Sequence, residues 1–523
     1  MPTPTDVVTR EQDGPDTGTT TPPSRRRFFV LGAGAVATLA TTSATTAQTG
    51  FPRGKPIKKT QPAGIRPDPS TEWKDPLLRL VRRITMGLAP AEIALARQLG
   101  YAGYLEYQLN ASAIDDSVVD ARIAMQMPLL SQTAEQLRQA PDGGEVYNQL
   151  ADMTMYRAAF SKKQLYERMV EFWTDHFSTL YDKIGHFKVI DDRQVIRPHA
   201  LGKFPDMLRA SANSAAMLYY LDQASSRKPT PNENYAREIM ELHSLGADGG
   251  YTQNDVAQLA RILTGWSINY NPGTFVFNFG NHDTSAKTFL GTNFPATGTN
   301  AAAAAAMKAE GDTAITMLIN HPSTARYLSL KMAQWLLAYT PPAAVVDATA
   351  AVYTATGGDI KAMIRTILSG KNVMASPAKY KRPFHLITSS VRSMVTEVTN
   401  IRAVRARLSQ LDMESFYWEQ PDGYPDRVSW WSGLVAQRWN WATYISNLNS
   451  ATVARVNTVA SFRAPQDNAA GVINQINGRL FGGEMPRALG SALQAYLMAA
   501  TYNDARVRET LALAVSSQEF QWY

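Results

Sequence analysis

From Trp73 onward, apolar residues recur at helical spacing with few interruptions, which commits the chain to a mainly α-helical body. Leu77, Leu78, Leu80, Val81 and Ile84 make residues 75–86 one amphipathic helix. Pro90-Ala91-Glu92 opens a second that ends near Leu99-Gly100, and residues 101–109 form a third. Residues 132–180 read as two longer helices broken near Ser161, and residues 199–222 as a buried helix pair. Helical periodicity returns over 312–319, 323–339, 347–368, 384–398 and through Arg438-Trp439-Asn440-Trp441, with two more helices in the tail. Only Thr274-Phe275-Val276-Phe277-Asn278-Phe279-Gly280 alternates with period two, and residues 282–291 are positioned to return it as a hairpin. The fold class predicted is therefore all-α, a multi-helix body with one small β-hairpin.

Within that body the densest chemistry lies in Pro231-Asn232-Glu233-Asn234-Tyr235-Ala236-Arg237-Glu238-Ile239-Met240-Glu241-Leu242-His243-Ser244-Leu245-Gly246. Pro231 and Asn232 suit a helix start, and Gly246 a left-handed stop. Thr252 with Asp255 three residues on predicts a capping box, so a second helix follows almost at once. At about 100° per residue, Asn234, Glu238 and Glu241 share one face, while Tyr235, Ile239, Met240, Leu242 and His243 cover the opposite arc. The face is either a solvated acidic stripe or the wall of a cleft, and periodicity alone does not choose. Residues 165–177 repeat the pattern: Glu167, Glu171 and Thr174 share a face, and Met169, Phe172, Trp173 and His176 form the apolar arc.

The N-terminus reads as an export signal. Ser24-Arg25-Arg26-Arg27-Phe28-Phe29 fits the twin-arginine pattern, and the apolar run over residues 28–40 is too short to span a bilayer well. Thr45-Thr46-Ala47 offers a cleavage site, so residues 1–47 are expected to be a signal peptide. Residues 48–72 then form a Pro-rich basic linker, and residues 73–523 a single large helical domain. Localisation is expected to be periplasmic or secreted, with no transmembrane segment after cleavage.

The chain holds no cysteine, which removes disulfides, thiolate metal sites and a cysteine nucleophile. Any metal must rest on His, Asp, Glu, Asn or Tyr. Of the net charge of +7, residues 48–71 hold +4 and residues 1–47 none. The body is therefore close to neutral, which argues against a nucleic-acid partner. There is no glycine-rich phosphate loop, no Gly-x-Ser-x-Gly elbow and no His-Glu-x-x-His.

Several polar words together carry a family likeness. They are Arg83-Ile84-Thr85-Met86-Gly87, Arg168-Met169-Val170-Glu171-Phe172-Trp173-Thr174-Asp175-His176-Phe177 and Arg197-Pro198-His199-Ala200-Leu201-Gly202. The central stretch follows with Gly250-Tyr251-Thr252-Gln253, then His282-Asp283 with Lys287-Thr288-Phe289-Leu290-Gly291. His321-Pro322-Ser323-Thr324-Ala325-Arg326 and Pro421-Asp422-Gly423-Tyr424-Pro425 complete the set. Over about residues 75 to 520 the chain resembles the bacterial family catalogued as domain of unknown function 1800, with Tyr424 where many members carry Trp. The resemblance implies a mostly helical, usually exported protein and no particular reaction.

Three chemistries fit these residues. The first, and favoured, is a cofactor-free hydrolase of an extracytoplasmic polymer, with a glycoside bond preferred and paired carboxylates as acid and base or nucleophile. Its catalytic candidates are Glu241, Glu238, Asp175 and Asp222. Its substrate-binding candidates are His176, His243, Asn234, Tyr235 and Trp173, and its expected partner is a polysaccharide or similar polymer. Tyr219, Tyr220, Trp430 and Trp431 are further aromatics able to stack on sugar rings. The second chemistry is a metal-dependent enzyme using His176, His243 and His282 with Glu238, Glu241 or Asp283. Glu241 and His243 lie two apart on a helix and point to different sides, which weakens that ligand set, so no metal or other cofactor is favoured. The third is a non-catalytic envelope protein in which Arg237 and Arg168 pair with Glu238 and Glu171.

Overall fold

Asp75 accepts a hydrogen bond from the Leu77 amide and Pro76 occupies the first turn, so the helix Pro76–Ile84 begins where the sequence places it. The computed structural model describes residues 72–395, 397–448, 453–454 and 457–523. The signal-peptide reading of 1–47 and nearly all of the 48–72 linker lie outside the described residues. All described residues belong to one unit, 66–523. It is mainly helical, with two small antiparallel hairpins.

Pro90–Leu109 is the expected two helices meeting at a kink, where Gly100 leaves helical geometry at φ 70°. The expected break near Ser161 separates Gly143–Phe160 from Gln164–His176. Buried Gln164 ties that corner together, bonding the Ser161 and Ala158 carbonyls while accepting from the Met86 amide. The buried pair is Phe204–Ala212 and Ala215–Tyr220. The stretch expected as one helix over 347–368 is two, Ala343–Thr356 and Ile360–Ile367. Gly357 and Gly358, at φ 64° and 77°, end the first in the left-handed conformation that only glycine adopts freely. The tail holds more than two helices, among them Ala469–Phe481, Arg487–Met498 and Asp504–Ser516.

The strand Thr274–Phe277 pairs with Trp266–Asn269 before it, not with residues 287–291 after it. Lys287–Phe289 instead turns through Leu290-Gly291 onto Thr292–Phe294. Both of those turn residues have positive φ, the backbone a tight hairpin needs. The single expected hairpin is thus two. Trp266, fully buried, packs on the helix Ala304–Asn320 at Gly311, where an added Cβ would lie 2.4 Å from the indole.

Two large apolar cores result. One gathers Leu80, Trp173, Phe204, Ile239, Trp266, Leu328 and Trp335, and the other Leu150, Ile387, Trp431, Trp441 and Leu511. Full burial of each large side chain contributes roughly 1.5–3 kcal/mol. The helices Gln164–His176 and Pro383–Met394 run along the seam between these cores. Arg382, the N-cap of the second, pairs with Glu171 and Asp175 on the first.

Candidate functional site

The central helix, Glu233–Glu241, is shorter than its periodicity. Asn232 caps it through the Asn234 amide. Beyond Glu241 the chain widens: the His243 amide bonds the Glu238 carbonyl and the Leu245 amide the Met240 carbonyl, each five residues back. Gly246 at φ 82° then closes the turn, with the Tyr327 ring where a side chain would be. The predicted capping box at Thr252 and Asp255 is present. Widening the last turn swings His243 out of helical register and buries its ring against Phe177 and His176, at centroid distances of 5.0 and 6.1 Å.

That contact joins the two polar helices. His176 ends Gln164–His176, and its Nε2 lies 3.2 Å from the His243 carbonyl. A carbonyl only accepts, so Nε2 carries the proton and Nδ1 presents a lone pair. Nδ1 is buried and has no hydrogen-bond partner. Burial, with the Lys331 ammonium nearby, holds the His176 pKa well below the ordinary value, so its ring is neutral at pH 7.

A cavity of about 300 Å³ opens beside His176, lined by Phe172, Asp175, Lys331, Trp335, Arg382 and the loop from Asp422 to Arg427. Arg382 anchors its floor. Its guanidinium donates to Asp175 at 2.6 Å, to Glu171, and to the Tyr424 carbonyl at 3.2 Å, and it lies over Trp335 at 4.6 Å. Burial pushes the Asp175 carboxyl up, and Arg382 offsets part of that push. Arg168 covers Trp335 at 4.4 Å and pairs with Glu171 at 3.2 Å. Lys379 donates to Asp426 and to the Gln334 and Trp335 carbonyls. Lys331 differs from these: no acidic side chain lies within ion-pair distance of it among the described residues, and burial lowers its pKa against the pull of Asp175, Asp422 and Asp426.

The loop Pro421-Asp422-Gly423-Tyr424-Pro425 reaches the cavity because Gly423 lies against the last turn of Gln164–His176. A Cβ there would sit 2.3 Å from the Asp175 carbonyl oxygen, and its φ is 76°. Gly423→Ala is expected to cost about 1–2 kcal/mol from the left-handed backbone alone, and to displace Asp422 as well. A denaturant midpoint unchanged from wild type would show that the loop docks differently. Asp422 is held by the indole Nε1 of Trp418 at 2.8 Å.

Glu238 and Glu241 lie on the central helix, with Asp422 of the cavity loop near enough for its charge to act on Glu238. Arg237 pairs with Glu233 at 3.2 Å and with Gln253, not with Glu238. Among the described residues neither Glu238, Glu241 nor Asp422 has an ion-pair partner within 4 Å, so three carboxylates face one another unneutralised. Burial first, then the charges of Glu241 and Asp422, raise Glu238 to about 7, against a smaller opposing effect of Arg237. Burial chiefly, then Glu241 and Asp422, also raise the Tyr327 hydroxyl, whose ring lies 6.4 Å from that of His176.

The structure places Asp175 and His176 in the cavity wall and Glu238 beside Glu241 and near Asp422 of the cavity loop. Trp173 is fully buried and its Nε1 bonds the Ala200 carbonyl at 3.0 Å, so it is a core residue with no face for a substrate. Tyr235 is likewise 1% exposed inside the first core. His243 acts through its backbone carbonyl and a buried ring of pKa about 3, depressed by burial. Asn234 is exposed one turn further out, bonded to the Leu221 carbonyl at 3.3 Å. Asp222, at φ 60°, turns outward to pair with Lys183 at 2.8 Å and is no candidate acid.

The metal set does not assemble. His282 is buried elsewhere, its Nδ1 2.8 Å from the Thr264 carbonyl and its Nε2 3.4 Å from Glu310, while Asp283 pairs with Arg261. Among the described residues no group of three or more His, Asp or Glu side chains is placed to hold a metal ion. Sequence reasoning missed Lys331, Arg382 and Tyr327. For Lys331 a signal existed, since it is the only charged residue between Arg326 and Tyr339.

The fold and site define a mainly helical protein whose two cores close on a carboxylate-rimmed cavity. The chain belongs to the family described as Protein of unknown function (DUF1800), whose model matches residues 79–522. No curated protein and no solved structure matches it. No helix of the described residues is long and apolar enough to cross a membrane.

Proposed function

We propose that the protein is an exported hydrolase of an extracytoplasmic polymer, acting on a glycoside bond through paired carboxylates. The observation that carries this reading is the half-buried Glu238, raised to about 7 by burial and by Glu241 and Asp422, the last of which lines the cavity. Glu238, raised by burial and by these neighbouring charges, holds a proton near neutral pH. Glu238 is the proton donor to the leaving oxygen. Glu241 or Asp422 is the charged partner, acting as base toward water or as nucleophile on the sugar carbon. The neutral His176 and the Tyr327 hydroxyl supply hydrogen bonds to the bound unit. The twin-arginine reading of residues 24–29 supports delivery outside the cytoplasm.

The test is hydrolysis of a panel of soluble glycans by the mature full-length chain, read as released reducing ends, with Glu241→Gln beside wild type. Glu241 has no cationic partner to strand, so the nearly isosteric change is expected to remove activity while leaving Tm within about 1 °C, a shift well under 1 kcal/mol in stability. Unfolding of Glu241→Gln, or full activity in it, would overturn the assignment.

A further inference from the structure

The cavity contains a cation without a counter-ion. Of its basic residues, Arg382 is saturated by Glu171 and Asp175. Lys331 and Arg427 have no acidic side chain within ion-pair distance among the described residues. Lys331 is the more telling of the two. It lies on Pro322–Leu336 among the buried Leu328, Met332 and Trp335, close enough to His176 for its charge to act on that ring, whose buried Nδ1 has no hydrogen-bond partner. Asp175, Asp422 and Asp426 act on this ammonium without any of them reaching ion-pair distance, so a ligand anion in the cavity would give it a direct partner.

A second observation lies immediately outside. Trp418, which holds Asp422, packs edge to face on Trp430 at 5.6 Å, and Trp430 is 44% exposed. Arg427 sits 5.5 Å from the Trp430 ring. Its neighbour Trp431 is buried and bonds the Pro425 carbonyl at 2.7 Å, so the loop's two tryptophans divide their roles between anchor and exposed face. An open indole face beside a cavity offers a pyranose ring its C–H face, while the ring's charged substituent is left to the cations.

We propose that the substrate is an acidic glycan: a sugar bearing a carboxylate or sulfate places that group on Lys331 and Arg427, and an adjoining ring stacks on Trp430. This rests on the hydrolase reading for the reaction, but not for the binding.

The experiment is isothermal titration of the mature full-length chain in 0.15 M salt with four tetrasaccharides. Oligogalacturonate and oligomannuronate carry carboxylates, a carrageenan oligomer carries sulfates only, and cellotetraose is neutral. Binding of at least one acidic oligomer, at least tenfold tighter than cellotetraose, is expected. Lys331→Met should abolish that preference, Trp430→Ala should weaken acidic binding several-fold, and Glu238→Gln should leave it intact. Selective carboxylate binding identifies a uronate site, and selective sulfate binding a sulfate site. Equal affinity for cellotetraose, no binding of any acidic oligomer, or an unaltered preference in folded Lys331→Met overturns the inference. Wild-type hydrolysis persisting in Glu238→Gln while acidic binding holds would instead overturn the catalytic assignment alone.

Discussion

Replacing Arg382 with Met will destabilise the protein by about 3–5 kcal/mol at pH 7, the range seen when one partner of a buried ion pair is removed. Arg382 pairs with Asp175 and shares Glu171 with Arg168, and the side chains of Glu171 and Asp175 are 11% and 21% exposed. Methionine keeps the packing over Trp335 and removes only the charge and the hydrogen bonds, so the loss measures stranded carboxylates rather than a cavity. The pH dependence gives the diagnostic sign. Burial already raises Asp175, and without Arg382 nothing comparable opposes that rise. Its folded pKa then lies above its unfolded one. The stability it contributes is fully present below the unfolded value near 4 and is lost as pH rises through the folded value. The Met variant should therefore recover part of its deficit on acidification, whereas wild type should not gain. A urea midpoint within about 1 kcal/mol of wild type at pH 7 would show that the pair is not structural.

Glu238→Gln will lower hydrolysis by about 10²–10⁴-fold, the usual contribution of a positioned general acid. At the same time it will make the protein more resistant to heat at pH 8 than at pH 5, relative to wild type. The two effects have one cause. Glu238 has a folded pKa of about 7, and the groups that face it are Glu241, Arg237 and Asp422. Its stabilising contribution is present below its ordinary unfolded value and disappears as pH rises through 7, so above that pH an ionised Glu238 is a burden that Gln removes. Wild-type activity should fall on the alkaline side as the acid loses its proton. Removing the neighbouring charge with Glu241→Asn should move the residual alkaline limb downward, because Glu241 is the charge that raises Glu238 most. A stability gain at pH 8 with no activity loss would leave Glu238 as a strained surface acid and nothing more.

The helical body was legible because its signals are local. Asp75 before Pro76, Thr252 three residues before Asp255, and Ser161 between two apolar periodicities each satisfy or break hydrogen bonds within one turn, so they act wherever the helix later packs. The acidic face of the central helix was legible for the same reason, since Glu238 and Glu241 differ by three residues and any helix places them together. The carboxylate pair follows from residues alone only that far.

Tertiary structure decided everything that depends on a partner distant in the chain. Thr274–Phe277 pairs backward because strand pairing is settled by turn geometry and by Trp266 finding Gly311, 45 residues later in the chain. Trp173 and Tyr235 look like sugar-binding aromatics in sequence, yet a ring's exposure is set by what covers it, and here both are sealed in a core. Asp175 is claimed by Arg382, 207 residues away, and Asp422 arrives only because Gly423 permits the loop to touch the Asp175 carbonyl. Lys331 is one ordinary lysine in its own helix, and it becomes a site residue because the folded chain surrounds it with a neutral histidine and no paired acid. Charge, spacing and caps are properties of a segment, whereas solvation and neutralisation are properties of the space between segments, which the linear pattern does not contain.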